Sequence, residues 1–188
     1  AIRSYYLSAK MCSAGHSVVV ITSHNKSGVL IKEVDGVQVH YLPVPYDNKM
    51  GIVSRLLAFL RFYFQAFKQV KILADIDLVY ATSTPLTVGL IARRIKRKLG
   101  IPYIFEVRDL WPDAPIEMGY IPLKVMGRLI HVFERRIYED ADRIIALSQG
   151  MARRISLRCS STPISVIPNI SDTEFFTETH TENPEIVV

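Results

Sequence analysis

The sequence has little of what a disulfide-stabilised or membrane-spanning protein needs. Its 188 residues include two cysteines, Cys12 and Cys159, which are too few for a disulfide framework and form no C-x-x-C pair. A reducing, cytosolic setting is therefore expected. The strongest apolar run, residues 56–64, is interrupted by Arg61, so we expect no membrane span, which takes roughly 18 consecutive apolar residues.

Local signals for phosphate loops and metal sites are also absent. Neither G-x-G-x-x-G nor G-x-x-x-x-G-K-S/T occurs, and the five histidines show no metal-ligand spacing. Two D-x-D triplets, 75–77 and 140–142, could hold a divalent metal or could be solvated turns. Both precede predicted strands, which puts them at the amino edge of a sheet, so we interpret them as turns. No metal and no cofactor are expected.

The charge balance favours an anionic partner without identifying it. Lys and Arg number 23 against 18 Asp and Glu, a net charge of +5, which suits phosphates, nucleotides, acidic lipids or nucleic acid. The basic run 93–98 would fit nucleic acid, but it lacks interleaved aromatic residues. It also lies in a predicted last helical turn, where cations complement the helix dipole. We interpret the run as a solvated helix face and expect no nucleic-acid partner.

Alternating strands and helices predict a single α/β domain. The length and the 49% hydrophobic content provide one sizeable core. The predicted strands are 17–23, 36–44, 77–82, 102–107, 143–147 and 164–167, and the predicted helices are 2–14, 52–73, 86–99, 124–139 and 150–157. Strand 36–44 alternates apolar and polar residues, so we expect it at the periphery. The order indicates a Rossmann-like parallel sheet with helices on both faces.

Helix 52–73 has more apolar surface than one packed face needs. Its aromatic residues spread around most of the circumference, whereas Arg61, Gln65 and Lys68 form a narrow polar edge. With Arg55 and Lys71 nearby, this helix suits an interfacial contact with an anionic membrane. The alternative is a thoroughly buried helix.

A ligand site is expected where the strands end, because parallel sheets bind ligands at their carboxyl edge. The loops there are 22–26, 83–85, 108–115, 148–149 and 168–169. The richest segment places Glu106, Arg108, Asp109 and Trp111 beside two prolines. A carboxylate, an arginine and a tryptophan in a stiff loop suit an anionic or sugar-like ligand. The alternative is an Arg108–Asp109 pair that only holds the loop.

Three segments together resemble one known family. Residues 3–22 (RSYYLSAKMCSAGHSVVVIT), 105–112 (FEVRDLWP) and 142–176 (DRIIALSQGMARRI…SVIPNISDTEFF) are similar to the N-terminal domain of retaining family-four glycosyltransferases of the GT-B fold. The R-D-L-W-P version resembles fucosamine transferase-like members that build bacterial surface polysaccharides. The resemblance implies retaining transfer of a sugar from a nucleotide-diphosphate donor to a glycan or lipid-linked acceptor, without a metal.

The resemblance also implies a domain division. Residues 1–170 correspond to the acceptor-side domain, and 171–188 to the interdomain linker and the start of a C-terminal domain that binds most of the donor. The family's first strand and its Gly-rich loop would precede Ala1, so we expect a Rossmann-like sheet that lacks its first strand. We also expect no turnover from these 188 residues alone. The two cysteines and the composition of helix 52–73 give the expected location, which is the cytoplasm with a peripheral contact at the inner face of the cell membrane.

Specific roles follow for residues in the carboxyl-edge loops. Arg108 stands where many relatives carry His, and because Arg stays charged near neutral pH, we expect it to position anionic groups rather than move a proton. Asp109 is expected to orient an acceptor hydroxyl, and the general base is left unassigned. The predicted acceptor-binding residues are Glu106, Trp111, Ser83 and Thr84, and the predicted donor-side residues are Arg3, Ser148 and Asn169. A second hypothesis is a non-catalytic α/β module that binds a membrane or a protein.

Overall fold

Strands and helices alternate along the chain as predicted. The computed structural model describes residues 2–47, 49–83, 85–110 and 124–169. The strands in these ranges are β1 (Val19–His24), β2 (Leu30–Val34), β3 (Val37–Pro43), β4 (Val79–Thr82), β5 (Tyr103–Val107), β6 (Arg143–Ala146) and β7 (Ile164–Val166). The helices are α1 (Ile2–Ser13), α2 (Ile52–Ile72), α3 (Thr87–Leu99), α4 (Lys124–Asp140) and α5 (Gln149–Ser156).

The strands form two sheets rather than one. The first sheet has the order β1-β3-β2 and the second β4-β5-β6-β7. All pairs are parallel except β2 with β3. Within the described residues, β1 is an edge strand of the first sheet and β4 an edge strand of the second. One hydrophobic cluster joins the two sheets, because Ile21 of β1, Leu42 of β3 and Val79 of β4 pack with residues of α2 and α3.

Strand β2 is an addition to the predicted order. It forms a hairpin with β3 across Asp35 and Gly36, whose φ angles of 51° and 77° are both positive, as a type I′ turn requires. All five residues of β2 are exposed, and its sequence does not alternate cleanly, which explains why periodicity missed it. As a result β3 lies between β1 and β2, so the prediction that it is peripheral was wrong.

Helices cover both faces of the second sheet, as predicted. Phe105 of β5 is fully buried in a cluster with Ala92 of α3 and Ile137 of α4. Because side chains alternate along a strand, the neighbouring Glu106 points to the opposite face, where it meets Arg3 of α1. Helix α3 can lie close to β5 and α4 because position 89 is glycine: a Cβ there would stand 2.9 Å from Cε2 of Phe105 and 2.7 Å from Cγ2 of Ile137.

Candidate functional site at the carboxyl edge of the second sheet

The ends of β4 and β5 are joined by Ser83, which immediately follows β4. Its Oγ accepts a hydrogen bond of 2.8 Å from the backbone N–H of Arg108, and its own N–H donates to the carbonyl oxygen of Glu106 at 2.8 Å. Ser83 is only 3% exposed. Its hydroxyl therefore holds the loop after β5 in place, which is a positioning role rather than open contact with a ligand.

Arg108 and Asp109 lie directly after β5, at the edge where the site was predicted. Arg108 is half-buried and Asp109 is exposed. Leu110 packs against the hydrophobic core beside them, which anchors the start of the loop. The arrangement presents a carboxylate and a guanidinium on neighbouring residues at a fixed backbone position. The other predicted residues of this region, Thr84 and Trp111, lie outside the described residues.

Glu106 is buried and paired with Arg3. The two side chains form an ion pair of 2.6 Å between Nε and Oε1, and Glu106 is 2% exposed. Sequence reasoning put Glu106 on the acceptor side and Arg3 on the donor side. The structure brings the two together, and the carboxylate of Glu106 is turned towards a protein partner. A ligand would therefore meet the guanidinium of Arg3 more readily than Glu106.

Arg3 also connects three parts of the chain that are far apart in sequence. Its terminal nitrogens donate to the carbonyl oxygens of Ile167 at 3.2 Å and Pro168 at 3.0 Å, and to Oδ1 of Asn169 at 3.3 Å. The start of α1, the end of β5 and the segment after β7 thus converge on one guanidinium. Two of the three predicted donor-side residues, Arg3 and Asn169, are in contact.

Tyr80 belongs to the same cluster and was missed by the sequence analysis. Burial raises the pKa of the Tyr80 phenol, and the nearby carboxylate of Glu106 raises it further. Thr82 pairs with Glu106 in the register of β4 and β5, so Tyr80, two residues earlier, is on the same face. The alternation of side chains in β4 was the signal that could have identified it.

Ser148, the third predicted donor-side residue, caps helix α5. Its Oγ accepts a hydrogen bond of 3.2 Å from the backbone N–H of Met151, as an N-cap residue does. Ser148 is exposed and lies at the same edge of the sheet as Asn169. Its contacts explain why the helix begins there, and the donor-side role stays a prediction.

The D-x-D triplet at 140–142 lies at the opposite, amino edge of the sheet. Asp140 pairs with Arg93 at 2.6 Å and Asp142 with Lys96 at 2.8 Å, and Asp142 also accepts from the backbone N–H of Tyr103 at 2.9 Å. Burial alone would raise the pKa of Asp142, but these hydrogen bonds lower it below its ordinary value. The oxygens are engaged in joining α3 and β5, as expected of a structural turn.

Residues 2–47, 49–83, 85–110 and 124–169 contain no group of three or more His, Cys, Asp or Glu side chains placed to hold a metal ion. None of the helices in those ranges combines the length and hydropathy needed to cross a membrane.

The fold defines a Rossmann-like α/β domain, and the polar loops at its carboxyl edge form a candidate ligand site. A family model described as "Glycosyl transferase 4-like domain" matches residues 1–170, so the chain belongs to that family. The fold matches the N-terminal half of a GT-B glycosyltransferase, as predicted.

Solved structures of similar fold include sucrose-phosphate synthase from Thermosynechococcus elongatus. One structure has a TM-score of 0.69 and 14% sequence identity, and the match covers 95% of this chain and 44% of that chain. A second structure of that name and organism has a TM-score of 0.64 and 15% identity, covering 91% of this chain and 86% of that chain. The chain thus spans less than half the length of the first of these relatives. A search of curated proteins found no match.

Proposed function

We propose that this chain is the acceptor-side domain of a retaining glycosyltransferase. The enzyme would move a sugar from a nucleotide-diphosphate donor to a glycan or lipid-linked acceptor in the synthesis of a bacterial surface polysaccharide. The observation that carries the proposal is the family match over residues 1–170. The exposed carboxylate of Asp109, held at the carboxyl edge beside Arg108, supplies the chemistry that such a domain needs.

In the proposed reaction, the acceptor hydroxyl approaches the anomeric carbon of the donor sugar. The bond between that carbon and the phosphate oxygen breaks, the new carbon–oxygen bond forms on the same face, the hydroxyl proton passes to the departing phosphate oxygen, and the nucleoside diphosphate leaves. Asp109 accepts the hydrogen bond of the incoming hydroxyl and so orients its lone pair. Arg108 stabilises negative charge near the reacting atoms, and Ser83 keeps both residues in place through the Arg108 N–H.

Asp109→Asn in the intact protein tests this role. The amide keeps the shape but removes the charge, so we expect kcat to fall at least about tenfold, or ~1.4 kcal/mol of transition-state stabilisation, with KM for the donor little changed. The measurement is release of nucleoside diphosphate from UDP- and GDP-sugars in the presence of acceptor. Asp77→Asn, which alters an exposed carboxylate away from this edge, is the matched control. A wild-type kcat in a normally folded Asp109→Asn protein would contradict this role and would show that the loop is only structural.

We further propose that transfer needs no divalent metal. The oxygens of Asp140 and Asp142 are held by Arg93, Lys96 and a backbone N–H at the far edge of the sheet, so this triplet is not available to bridge a donor diphosphate. Transfer rates should be equal in EDTA and in added Mg²⁺ or Mn²⁺. A rate that collapses in EDTA and returns with Mn²⁺ would contradict the proposal.

The setting proposed for the reaction is the cytoplasm. Cys12 and Cys159 are both free thiols, which suits a reducing compartment. The alternative function, a non-catalytic module, is favoured by one observation, the exposed apolar face of α2. Turnover of any nucleotide sugar by the intact protein distinguishes the two functions.

A further inference from the structure

Helix α2 has a second apolar face that points away from the core. Ala58, Ala66 and Val70 are buried among the two sheets and α3. On roughly the opposite side of the helix, five apolar residues follow the spacing i, i+3, i+4, i+7 and i+11. The exposed fraction of each residue is 72% for Val53, 55% for Leu56, 51% for Leu57, 44% for Leu60 and 59% for Phe64. We call these residues the apolar stripe. A contiguous apolar surface of this kind marks an interaction site.

Cations flank the apolar stripe, and neither α2 nor α3 contains a single Asp or Glu. Arg93 and Lys96 of α3 are neutralised by the aspartates at 140 and 142. Five exposed cations form no ion pair within the described ranges, namely Arg61, Lys68 and Lys71 of α2 and Arg97 and Lys98 of α3. We call these five the cationic rim. The face is therefore positive without compensation.

A groove of about 610 Å³ joins the apolar stripe to the cationic rim where α2, α3 and α4 meet. Leu60 and Phe64 of the stripe and Arg97 of the rim are among its lining residues. Arg94 also lines the groove, with its guanidinium carbon 4.1 Å from the centre of the Phe67 ring. Apolar and cationic atoms thus share one continuous wall, which an amphiphilic and anionic partner would complement.

We propose that this face docks on an anionic phospholipid bilayer. The apolar stripe would enter the boundary between headgroups and acyl chains, and the cationic rim would contact lipid phosphates. A two-fold dimer through the same face is disfavoured, because it would place the cationic rim of one copy against that of the other. Nucleic acid would use the cations but leave the apolar stripe exposed to water.

The orientation that docking imposes fits the location of the candidate site. Helices α2 and α3 follow the carboxyl ends of β3 and β4, so both begin at the edge that carries Ser83 and Arg108 and run away from it over about 31 Å in the case of α2. The apolar stripe starts at that edge with Val53. Docking would therefore bring the edge beside the bilayer, within reach of a lipid-linked acceptor. This consequence rests on the proposed function, whereas docking itself does not.

Vesicle co-sedimentation of the intact protein tests the docking without any sugar substrate. We expect binding to vesicles of phosphatidylcholine mixed with phosphatidylglycerol, weak binding to phosphatidylcholine alone, and release by added NaCl, because the headgroup attraction is screened by salt. These measurements use the wild-type protein. Their result is therefore independent of how any variant folds and of whether the protein transfers sugar.

Two variants with matched controls locate the contact. Arg97→Glu with Lys98→Glu should weaken binding to the mixed vesicles about tenfold or more. Its control is Arg153→Glu with Arg154→Glu, another exposed pair of neighbouring cations near a helix end, which should bind like wild type. Leu57→Ser with Phe64→Ser should also lose binding. Its control is Ile31→Ser with Leu157→Ser, two exposed apolar residues outside the stripe.

Several results would overturn the proposal. One is wild-type protein that does not bind anionic vesicles. Another is a control pair that loses as much vesicle binding as the variant it is matched to. Sodium phosphate that releases the protein far better than NaCl of equal ionic strength would indicate a site for free phosphate instead. Sedimentation that shows a dimer lost in Leu57→Ser with Phe64→Ser, without vesicle binding, would assign the face to a second copy of the chain.

Discussion

The guanidinium of Arg3 binds four residues from two distant parts of the chain, Glu106 and the segment 167–169. It neutralises the buried Glu106 and also holds the two carbonyls and the amide that follow β7. Taking a carboxylate out of water is costly unless it is paired, so Glu106 depends on Arg3. A residue at the start of the first helix thereby stabilises the end of a strand that lies 103 positions further along the chain.

Arg3→Met should therefore destabilise the fold by about 3–5 kcal/mol, because it leaves Glu106 buried without its partner. Urea unfolding measures the change, and Lys10→Met, an exposed cation of the same helix, should cost little. Adding Glu106→Gln to Arg3→Met should recover part of the loss, since the neutral amide tolerates burial better. A loss below about 1 kcal/mol in Arg3→Met would show that the pair contributes little.

At the scale of elements, helix α3 determines how the second sheet is covered. Gly89 lets it approach Phe105 of β5 and Ile137 of α4, and the helix then ends at Gly100, whose φ of 74° suits a glycine C-cap. Its cations at the C-terminal end pair with the turn before β6. One helix thus joins β4, β5 and α4 into a single packed layer.

Gly89→Ala should cost about 1–3 kcal/mol, although alanine favours helices over glycine by about 1 kcal/mol. The new methyl group would stand 2.7 Å from Cγ2 of Ile137 and 2.9 Å from Cε2 of Phe105, both in the core. Gly150→Ala in α5 is the control, because its methyl would meet only Oγ of Ser148, at 3.9 Å. Thermal unfolding should show a lower Tm for the first variant and an unchanged or higher Tm for the second.

At the scale of the whole molecule, the ionisation of Asp142 makes the free energy of unfolding depend on pH. Its hydrogen bonds from Lys96 and the Tyr103 N–H lower its pKa below the ordinary 3.8, although burial alone would raise it. The ionised form is thus favoured in the folded state. This contribution to stability is present above pH 3.8 and is lost as the pH falls through the folded-state pKa.

The free-energy difference between wild type and Asp142→Asn should therefore be largest above pH 4 and should shrink as the solution is acidified below about pH 3.8. Urea unfolding at a series of pH values measures it. Asp77→Asn, an exposed carboxylate at the same edge, reports the general effect of removing one negative charge. A difference that stays constant down to pH 2 would mean that Asp142 has the same pKa in both states.

The spacing of apolar residues and the positions of glycine and proline were sufficient to locate every predicted helix and strand. Helix 86–99 is observed as Thr87–Leu99, and strand 102–107 as Tyr103–Val107, because the apolar spacing of a helix or strand depends on neighbours a few residues away. The predicted order of helices and strands also placed the Asp140–Asp142 triplet correctly at the amino edge of the sheet. It also indicated the carboxyl edge as the place where Arg108 and Asp109 lie, and three sequence segments sufficed to identify the family.

Tertiary structure alone decided which of these residues meet. Strand order put β2 outside β3, and it brought Arg3 to Glu106, Tyr80 to the same face, and Ser83 to the Arg108 N–H. Such contacts join positions tens of residues apart, so no periodic pattern encodes them. Exposure is decided in the same way: the sequence showed that α2 is apolar on most sides, but only packing determined that the side from Val53 to Phe64 faces water.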